Sequence, residues 1–316
     1  MTDSAFRLHR AASCQGPSIV TVGGFDGIHR GHQALIGVAR ALAAEHGLPL
    51  TLLTFEPLPQ EVFKNPPPER LTTLREKIEA LKPLGVDHLV VLRFGTELAG
   101  MSAQDFVRTM LVESLGAEGV AVGDNFRFGH RRTGDVETLE RLLSPLGRAL
   151  RVVTPERSQG ERISSTRIRK ALAQGDLRDA ARLLGRPYEM MGRVIHGHAR
   201  GRRIGYPTAN LLPQRRRAAV RGVFAIRVHG VGPLPYNGVA SLGTRPGLDD
   251  GSELLEVHLF DWTDDLYGQL ITVEFVAFLR EERRFDDWEK LRRAIDADAE
   301  AARSILASQS HNLSEE

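Results

Sequence analysis

Residues Ser18 to Arg40, SIVTVGGFDGIHRGHQALIGVAR, constrain the fold of this chain more than any other stretch. Ile19, Val20 and Val22 form an apolar run suited to a buried strand. Gly23 and Gly24 follow, then HRGH, then Leu35, Val38, Ala39 and Leu42 at spacings of three and four, which predict a helix with one buried face. A strand, a glycine turn and a helix start form an anion site. The first backbone N–H groups of a helix lack partners, and its dipole favours negative charge there. His29 and His32 lie three apart at that start. Both rings reach one bound polyphosphate and can stabilise charge that builds as a bond to phosphorus breaks.

The plainer alternative has His32 capping the helix and His29 in solvent. Two histidines framing Gly31 directly after a strand and a glycine pair favour a nucleotide site, with Gly23, Gly24, Phe25 and Asp26 in its loop. The H-x-G-H form resembles the signature of nucleotidylyltransferases and class I aminoacyl-tRNA synthetases. It leaves the acceptor of the nucleotide open.

At 316 residues the chain has room for two domains. Its 42 basic and 40 acidic residues balance too closely to argue for nucleic acid from charge. The clusters Arg202–Arg203 and Arg215–Arg216–Arg217 read as solvated loops or substrate contacts. With one cysteine, Cys14, neither an internal disulfide nor a cysteine-based metal site forms. The N-terminus lacks a signal-peptide core, and no run approaches the ~18–20 apolar residues of a membrane span. The expected location is the cytoplasm.

The N-terminal half alternates apolar runs with helical periodicity: Leu50–Phe55, Val86–Phe94, Ala117–Gly123 and Ala149–Val153 as strands, with helices between. That alternation predicts an α/β domain with a doubly wound parallel sheet, preceded by an irregular stretch over 1–17. Ligands in such sheets sit at the carboxyl ends of the strands. The glycine–histidine loop, the proline-bounded EPLPQEVF loop with Phe55, Pro57 and Phe63, and the GDNFRFG loop with Asp124, Asn125 and Phe128 all follow strands. Thr73 and Glu76 have capping-box spacing. In ISSTRIRKAL, Ser164, Ser165 and Thr166 form an N-cap cluster with Arg169 in the first turns. An anion there would relieve the conflict between arginines and the helix dipole; a plain cap with solvated arginines is the alternative.

Beyond LGRPYEM the texture changes to short β-like runs without helices, which predict a small antiparallel barrel. A closing helix from Asp286 to Leu306 should pack through Trp288, Leu291, Ile295 and Ala299, followed by a disordered polar tail. The domains are expected at 1–185 and 186–316. Within the barrel, HGHARGRRIGYPTAN places Gly197, Gly201 and Gly205 among arginines, a loop that can close on phosphates or merely connect. Thr208 and Asn210 offer hard oxygen ligands of the kind Mg²⁺ accepts. Glu256 alternates with Leu255 and Val257 in LLEVHLF. It reads either as a proton acceptor for an attacking hydroxyl or as a solvated strand residue.

The ordered set GGFDGIHRGHQALI, TFEPLPQEVF, GDNFRFG, ISSTRIR, GRPYEMMGRVIHGHARGRRIGYPTANL, GVASLGTRP, LEVHLFDW and LYGQ resembles the bacterial bifunctional riboflavin kinases/FMN adenylyltransferases, or FAD synthetases, across nearly the whole chain. The resemblance implies a C-terminal kinase that moves the γ-phosphoryl of ATP to riboflavin. It also implies an N-terminal domain that joins FMN to the AMP part of a second ATP. It implies Glu256 as catalytic base, Thr208 and Asn210 as Mg²⁺ ligands, and Gly197, Gly201 and Pro207 beside ATP. In the other half it implies His29, His32 and Arg169 as catalytic, with Ser165 and Thr166 on phosphate. Phe55, Pro57, Phe63, Asp124, Asn125 and Phe128 would then lie near flavin or adenosine.

The family often has Asn at Gly24 and His at Leu58; GDNF replaces GxDF, and GTRPGLDDG replaces GTRPTF. One alternative is a riboflavin kinase with a weak or regulatory N-terminal nucleotide-binding module, which the intact HRGH and SSTRIR oppose. The other, an acid-activating synthetase, needs a tRNA-binding domain and a Lys-rich signature, and this chain has only five lysines. Expected partners are riboflavin, FMN and ATP, with neither nucleic acid nor membrane.

Overall fold

A computed structural model describes residues 6–10, 16–196, 205–244, 253–283 and 285–312, with side chains to 309. The chain divides into two compact units, residues 1–68 with 77–164 and residues 69–76 with 165–316.

The first unit is built on a six-stranded parallel sheet in the order β1-β4-β3-β2-β5-β6. Its strands are β1 (Arg7–His9), β2 (Ser18–Val22), β3 (Leu50–Glu56), β4 (His88–Arg93), β5 (Ala117–Gly123) and β6 (Ala149–Val153). From β2 the chain steps outward through β3 to β4, then crosses to β5 and β6. The reversal lies between β2 and β5, where open α/β sheets form their ligand crevice. Between β2 and β3 runs α1 (Arg30–His46), which buries Leu35, Ile36, Ala39, Leu42 and Ala43. Val38 falls on its exposed side. Gly47 ends it with a left-handed φ of 64°, its N–H on the carbonyls of Ala43 and Ala44.

Three expectations change in this unit. The segment before residue 17 is not wholly irregular: Arg7–His9 adds an edge strand beside His88–Val90. EPLPQEVF is not only a loop, since Pro59–Phe63 forms a short helix, α2. After α3 (Leu74–Leu81) and α4 (Thr96–Gly100), the helical segment before β5 opens with one α-turn, α5 (Ala103–Asp105), and continues not as an α-helix but as a π-helix over Phe106–Ser114. The helix α6 (Val136–Leu143) and the two-residue strands β7 (Arg157–Ser158) and β8 (Glu161–Arg162) complete the unit.

The second unit begins at Glu69–Glu76 and resumes with α7 (Ser165–Ala173) and α8 (Leu177–Leu184). Asp176 caps α8 by accepting from Asp179 N at 2.9 Å. A closed antiparallel barrel follows: β9 (Tyr188–Ile195), β10 (Ala209–Leu211), β11 (Gly222–His229), β12 (Tyr236–Thr244), β13 (Glu253–Leu259) and β14 (Leu270–Arg280). Closure pairs every strand on both sides and removes exposed edges. β10 begins within PTAN and is only three residues long, too short for periodicity to show it. Phe224, Ile226, Val228, Leu255, Val257, Ile271 and Val273 are among the buried residues that alternate along the strands.

The closing helix α9 (Trp288–Asn312) packs through Ala299, Ala302 and Leu306 on Val223, Ala225, Val239 and Phe260. Trp288, expected in that contact, is 58% exposed. Helix continues through Asn312, where a disordered tail was expected. Arg280 fastens α9 to the barrel, with Nε and Nη2 on Asp298 at 2.9 and 2.7 Å. Arg215 also departs from expectation: its side chain is 0% exposed and its Nη2 meets Glu76 Oε1 at 2.6 Å. It also donates to the carbonyl of Leu71 and the hydroxyl of Tyr188.

Candidate active sites

The loop after β2 holds an expensive shape. Phe25 (φ 47°) and Ile28 (φ 43°) are buried and left-handed although neither is glycine. Such residues cost about 1–3 kcal/mol each and persist only where neighbours hold them. Gln33 Nε2 donates to Ile28 O at 2.8 Å, and Lys77 Nζ donates to Gly24 O at 2.8 Å. A Cβ on Gly23 would stand 3.1 Å from the Phe25 ring, and one on Gly31 would stand 3.2 Å from the His29 ring. Both positions therefore favour glycine.

His29, not His32, is the N-cap of α1: its Nδ1 accepts from His32 N at 3.3 Å. That leaves the proton on Nε2, which makes Nε2–H a donor. The two imidazoles stack with centroids 3.6 Å apart and 16° between planes. Desolvation holds the pKa of His32 well below the ordinary value of 6.5, helped by His29, Lys77 and Arg162. Its Nδ1 is enclosed and has no hydrogen-bond partner among the described residues. Asp26 is buried in the same loop.

Across the switch point, Asp124 and Asn125 follow β5. Arg162 Nη2 donates to Asn125 Oδ1 at 2.6 Å, and its Nη1 lies 3.8 Å from Asp124 Oδ1. Phe128 packs into the core against Phe106 and Phe126. Phe55 is likewise a core residue, whereas Phe63 is 68% exposed with its ring edge-on to Phe94. Pro57 is exposed. Leu58 Cδ2 stands 3.6 Å from where a Gly24 Cβ would be, so these two departures from the family pattern face each other. Ser165, Thr166 and Arg169 open α7 in the second unit, where Arg169 Nε donates to the Glu69 carbonyl.

The barrel carries the other set. Asn210 pairs directly with Glu256 across β10 and β13, and Glu256 pairs with Ser241 across β12. Opposed residues of antiparallel strands share a face, so Asn210, Glu256 and Ser241 form a row. Asn210 is buried, and Glu256 is exposed. His258, two residues on, donates from Nδ1 to Pro207 O at 2.8 Å and fixes the chain before Thr208. Tyr206 packs edge-on to His258 and donates its hydroxyl to Asp296 of α9. Gly197 and Gly201, and most of GTRPGLDDG, lie outside the described residues. On the outer barrel face Glu189, His229 and Glu274 come within 4.8 Å of one another, with Arg227 Nη1 on Glu274 at 3.0 Å. Burial raises the Glu189 carboxyl pKa.

Residues 11–167 match the FAD synthetase family and residues 184–306 the riboflavin kinase family. The sequence is 42% identical over 289 residues to the bifunctional riboflavin kinase/FMN adenylyltransferase of Escherichia coli K12, covering 91% of this chain and 92% of that one. The chain belongs to this bifunctional family. Riboflavin kinase/FMN adenylyltransferases are transferases with two activities, phosphorylation of riboflavin to FMN and adenylylation of FMN to FAD, and both consume ATP. The Pseudomonas fluorescens member is 42% identical over 306 residues, 96% of this chain and 98% of the relative. A solved Streptococcus pneumoniae structure described as a macrolide-efflux protein has the same fold, with a TM-score of 0.80 and 31% identity over 94% of this chain and 98% of that one. Among the described residues no helix is long and apolar enough to cross a membrane.

Lys77, Arg162 and His258 carry little signal in the sequence. Lys77 and Arg162 stand in no glycine or histidine motif. His258 sits in LEVHLFDW two residues from Glu256, and the strand period of two, which puts both on one face, is its sequence signal.

Proposed function

We propose that the two reactions run at separate sites, the adenylyl transfer in a module over 1–185 and the kinase in one over 186–316. In the kinase, Glu256 accepts the proton of the ribityl 5′-hydroxyl as that oxygen attacks the γ-phosphorus and ADP leaves. The Thr208 hydroxyl and the Asn210 carboxamide are hard oxygen donors that fit Mg²⁺, which bound with ATP supplies charge neutralisation at the phosphates. His258 and Tyr206 orient the segment that carries both. The same reading takes Gly197, Gly201 and Pro207 as ATP contacts.

In the adenylyltransferase, a phosphate oxygen of FMN attacks the α-phosphorus of ATP and pyrophosphate leaves. His29 donates from Nε2–H to the polyphosphate beside the stacked, neutral His32. The backbone of Gly23, Gly24, Phe25 and Asp26 and the open start of α1 add donors. Ser165, Thr166 and Arg169 hold phosphate. Phe63 and Pro57 offer exposed surface to the flavin, Asp124 and Asn125 polar contacts, and Phe55 and Phe128 support these loops from the core. The reaction draws on cytoplasmic ATP.

The observation that carries the reading is the register of Glu256 against Asn210, a carboxylate beside a hard oxygen donor. Labelled ATP tests it. With riboflavin and Mg²⁺, γ-label should enter FMN and FAD, and α-label should enter FAD alone. Failure of γ-label to reach FMN would overturn the kinase assignment; failure of α-label to reach FAD would overturn the other.

A further inference from the structure

One cation lies beneath the Gly23–Gly24 turn and belongs to neither that glycine pair nor the H-x-G-H motif. Lys77 is the fourth residue of α3 and is 0% exposed. A buried ammonium is tolerated only when its donors are satisfied and its charge is compensated or used. Its Nζ donates to Gly24 O at 2.8 Å and to Thr54 Oγ1 at 3.0 Å. Thr54 Oγ1 itself donates to Gly24 O at 3.2 Å. The carbonyl at the start of the strained turn therefore receives two donors, one charged.

We propose that Lys77 is a positioning residue for adenylyl transfer: it pins Gly24, and with it the left-handed turn that presents His29 and His32, and sets a fixed positive charge behind the ATP polyphosphate. This rests on reading that loop as the adenylyl-transfer site. The geometry of the turn carries it, and the charge balance at His32 agrees. The turn holds two buried non-glycine residues at positive φ, so it needs restraint at both ends; Gln33 restrains Ile28, and Lys77 with Thr54 restrains Gly24. The charge of Lys77 is also felt at His32, where it opposes protonation. An apolar side chain could fill the same space, but it would neither grip the carbonyl nor keep the site positive for an anion while leaving His32 neutral.

The test uses the full chain with Lys77→Met and, separately, Thr54→Val, which removes the bridging hydroxyl. FMN adenylylation is followed with α-labelled ATP, and riboflavin phosphorylation and the melting curve of the same samples report folding. The His32 ring resonance, identified by its loss in His32→Gln, is titrated by NMR. Lys77→Met should lower kcat/KM for adenylylation about 100-fold and raise the His32 titration midpoint, with phosphorylation retained. Thr54→Val should lower adenylylation about tenfold. A folded Lys77→Met that makes FAD at the wild-type rate overturns the proposal. So does loss of FAD formation with an unmoved His32 titration, which assigns Lys77 to packing alone. If Lys77→Met does not fold, wild-type adenylylation by Thr54→Val overturns it. Failure of the underlying reading looks different: His32→Gln itself would then make FAD normally.

Discussion

Glu256 and Asn210 stand directly opposite each other on β13 and β10, 46 residues apart in the chain, on one face of a closed barrel. The pairing brings an exposed carboxylate beside a buried carboxamide whose strand is tied at Pro207 by His258. The carboxylate and the carboxamide are thereby held by backbone register, which resists small side-chain disturbances.

Glu256→Gln keeps the shape and removes the carboxylate proposed to accept the proton. Riboflavin phosphorylation should fall about 10²–10⁴-fold, while supplied FMN still becomes FAD. Chromatographic separation of riboflavin, FMN and FAD reads both steps in one sample. Unchanged FMN production from riboflavin would remove Glu256 from its role.

In His29→Ala the N-cap acceptor and one ring of the stack are lost together. Riboflavin supplied to this variant should accumulate as FMN, with FAD formation down about 10²–10³-fold. His29→Asn, which restores a capping oxygen but not the imidazole, should recover stability without recovering FAD synthesis. Recovery of both would make His29 a cap and nothing more.

Stability should depend on pH through His32. Its folded pKa is depressed, so the unfolded chain binds the proton first as pH falls below 6.5. The contribution is fully present above 6.5 and declines as pH drops towards the folded value, by at most about 1.4 kcal/mol per pH unit. His88, depressed by burial and by His9, adds in the same direction. Urea midpoints between pH 5 and 8 should rise with pH, less steeply in His32→Gln; parallel curves would contradict this.

Asp298→Ala should loosen α9. The substitution leaves the Arg280 guanidinium, with a side chain 21% exposed, without its carboxylate. Breaking a buried pair costs about 3–5 kcal/mol, and this one, partly wetted, belongs at or below the lower end. A melting point lowered by several degrees is expected for the second unit. Replacing both residues with apolar ones, Arg280→Met with Asp298→Leu, should recover much of the loss.

Much of this was legible because it is local. The strand at Ser18–Val22, the glycine turn, the histidine pair and the Thr73–Glu76 capping box are read from neighbours a few residues apart, and the capping box forms with Glu76 Oε2 accepting from Thr73 N at 2.7 Å. The barrel was legible from short alternating runs. What escaped was non-local. Arg7–His9 is too short to show a period and is a strand only because His88–Val90 offers a free edge. Arg215 reads as solvated in a run of three arginines, yet Glu76, 139 positions away, takes it out of water. Trp288 fits the apolar spacing of α9, but the barrel meets the helix further along, at Ala299, Ala302 and Leu306.

From the amino-acid order alone came the two chemistries and the two fold classes, because each motif is a run whose members are bound to their neighbours by covalent geometry. Folding decided the partnerships across the chain: Glu256 against Asn210, and Lys77 beneath the Gly23–Gly24 turn that opens the H-x-G-H loop. Those follow from strand register and from the demand that a buried charge find acceptors, conditions that exist only once distant segments have packed together.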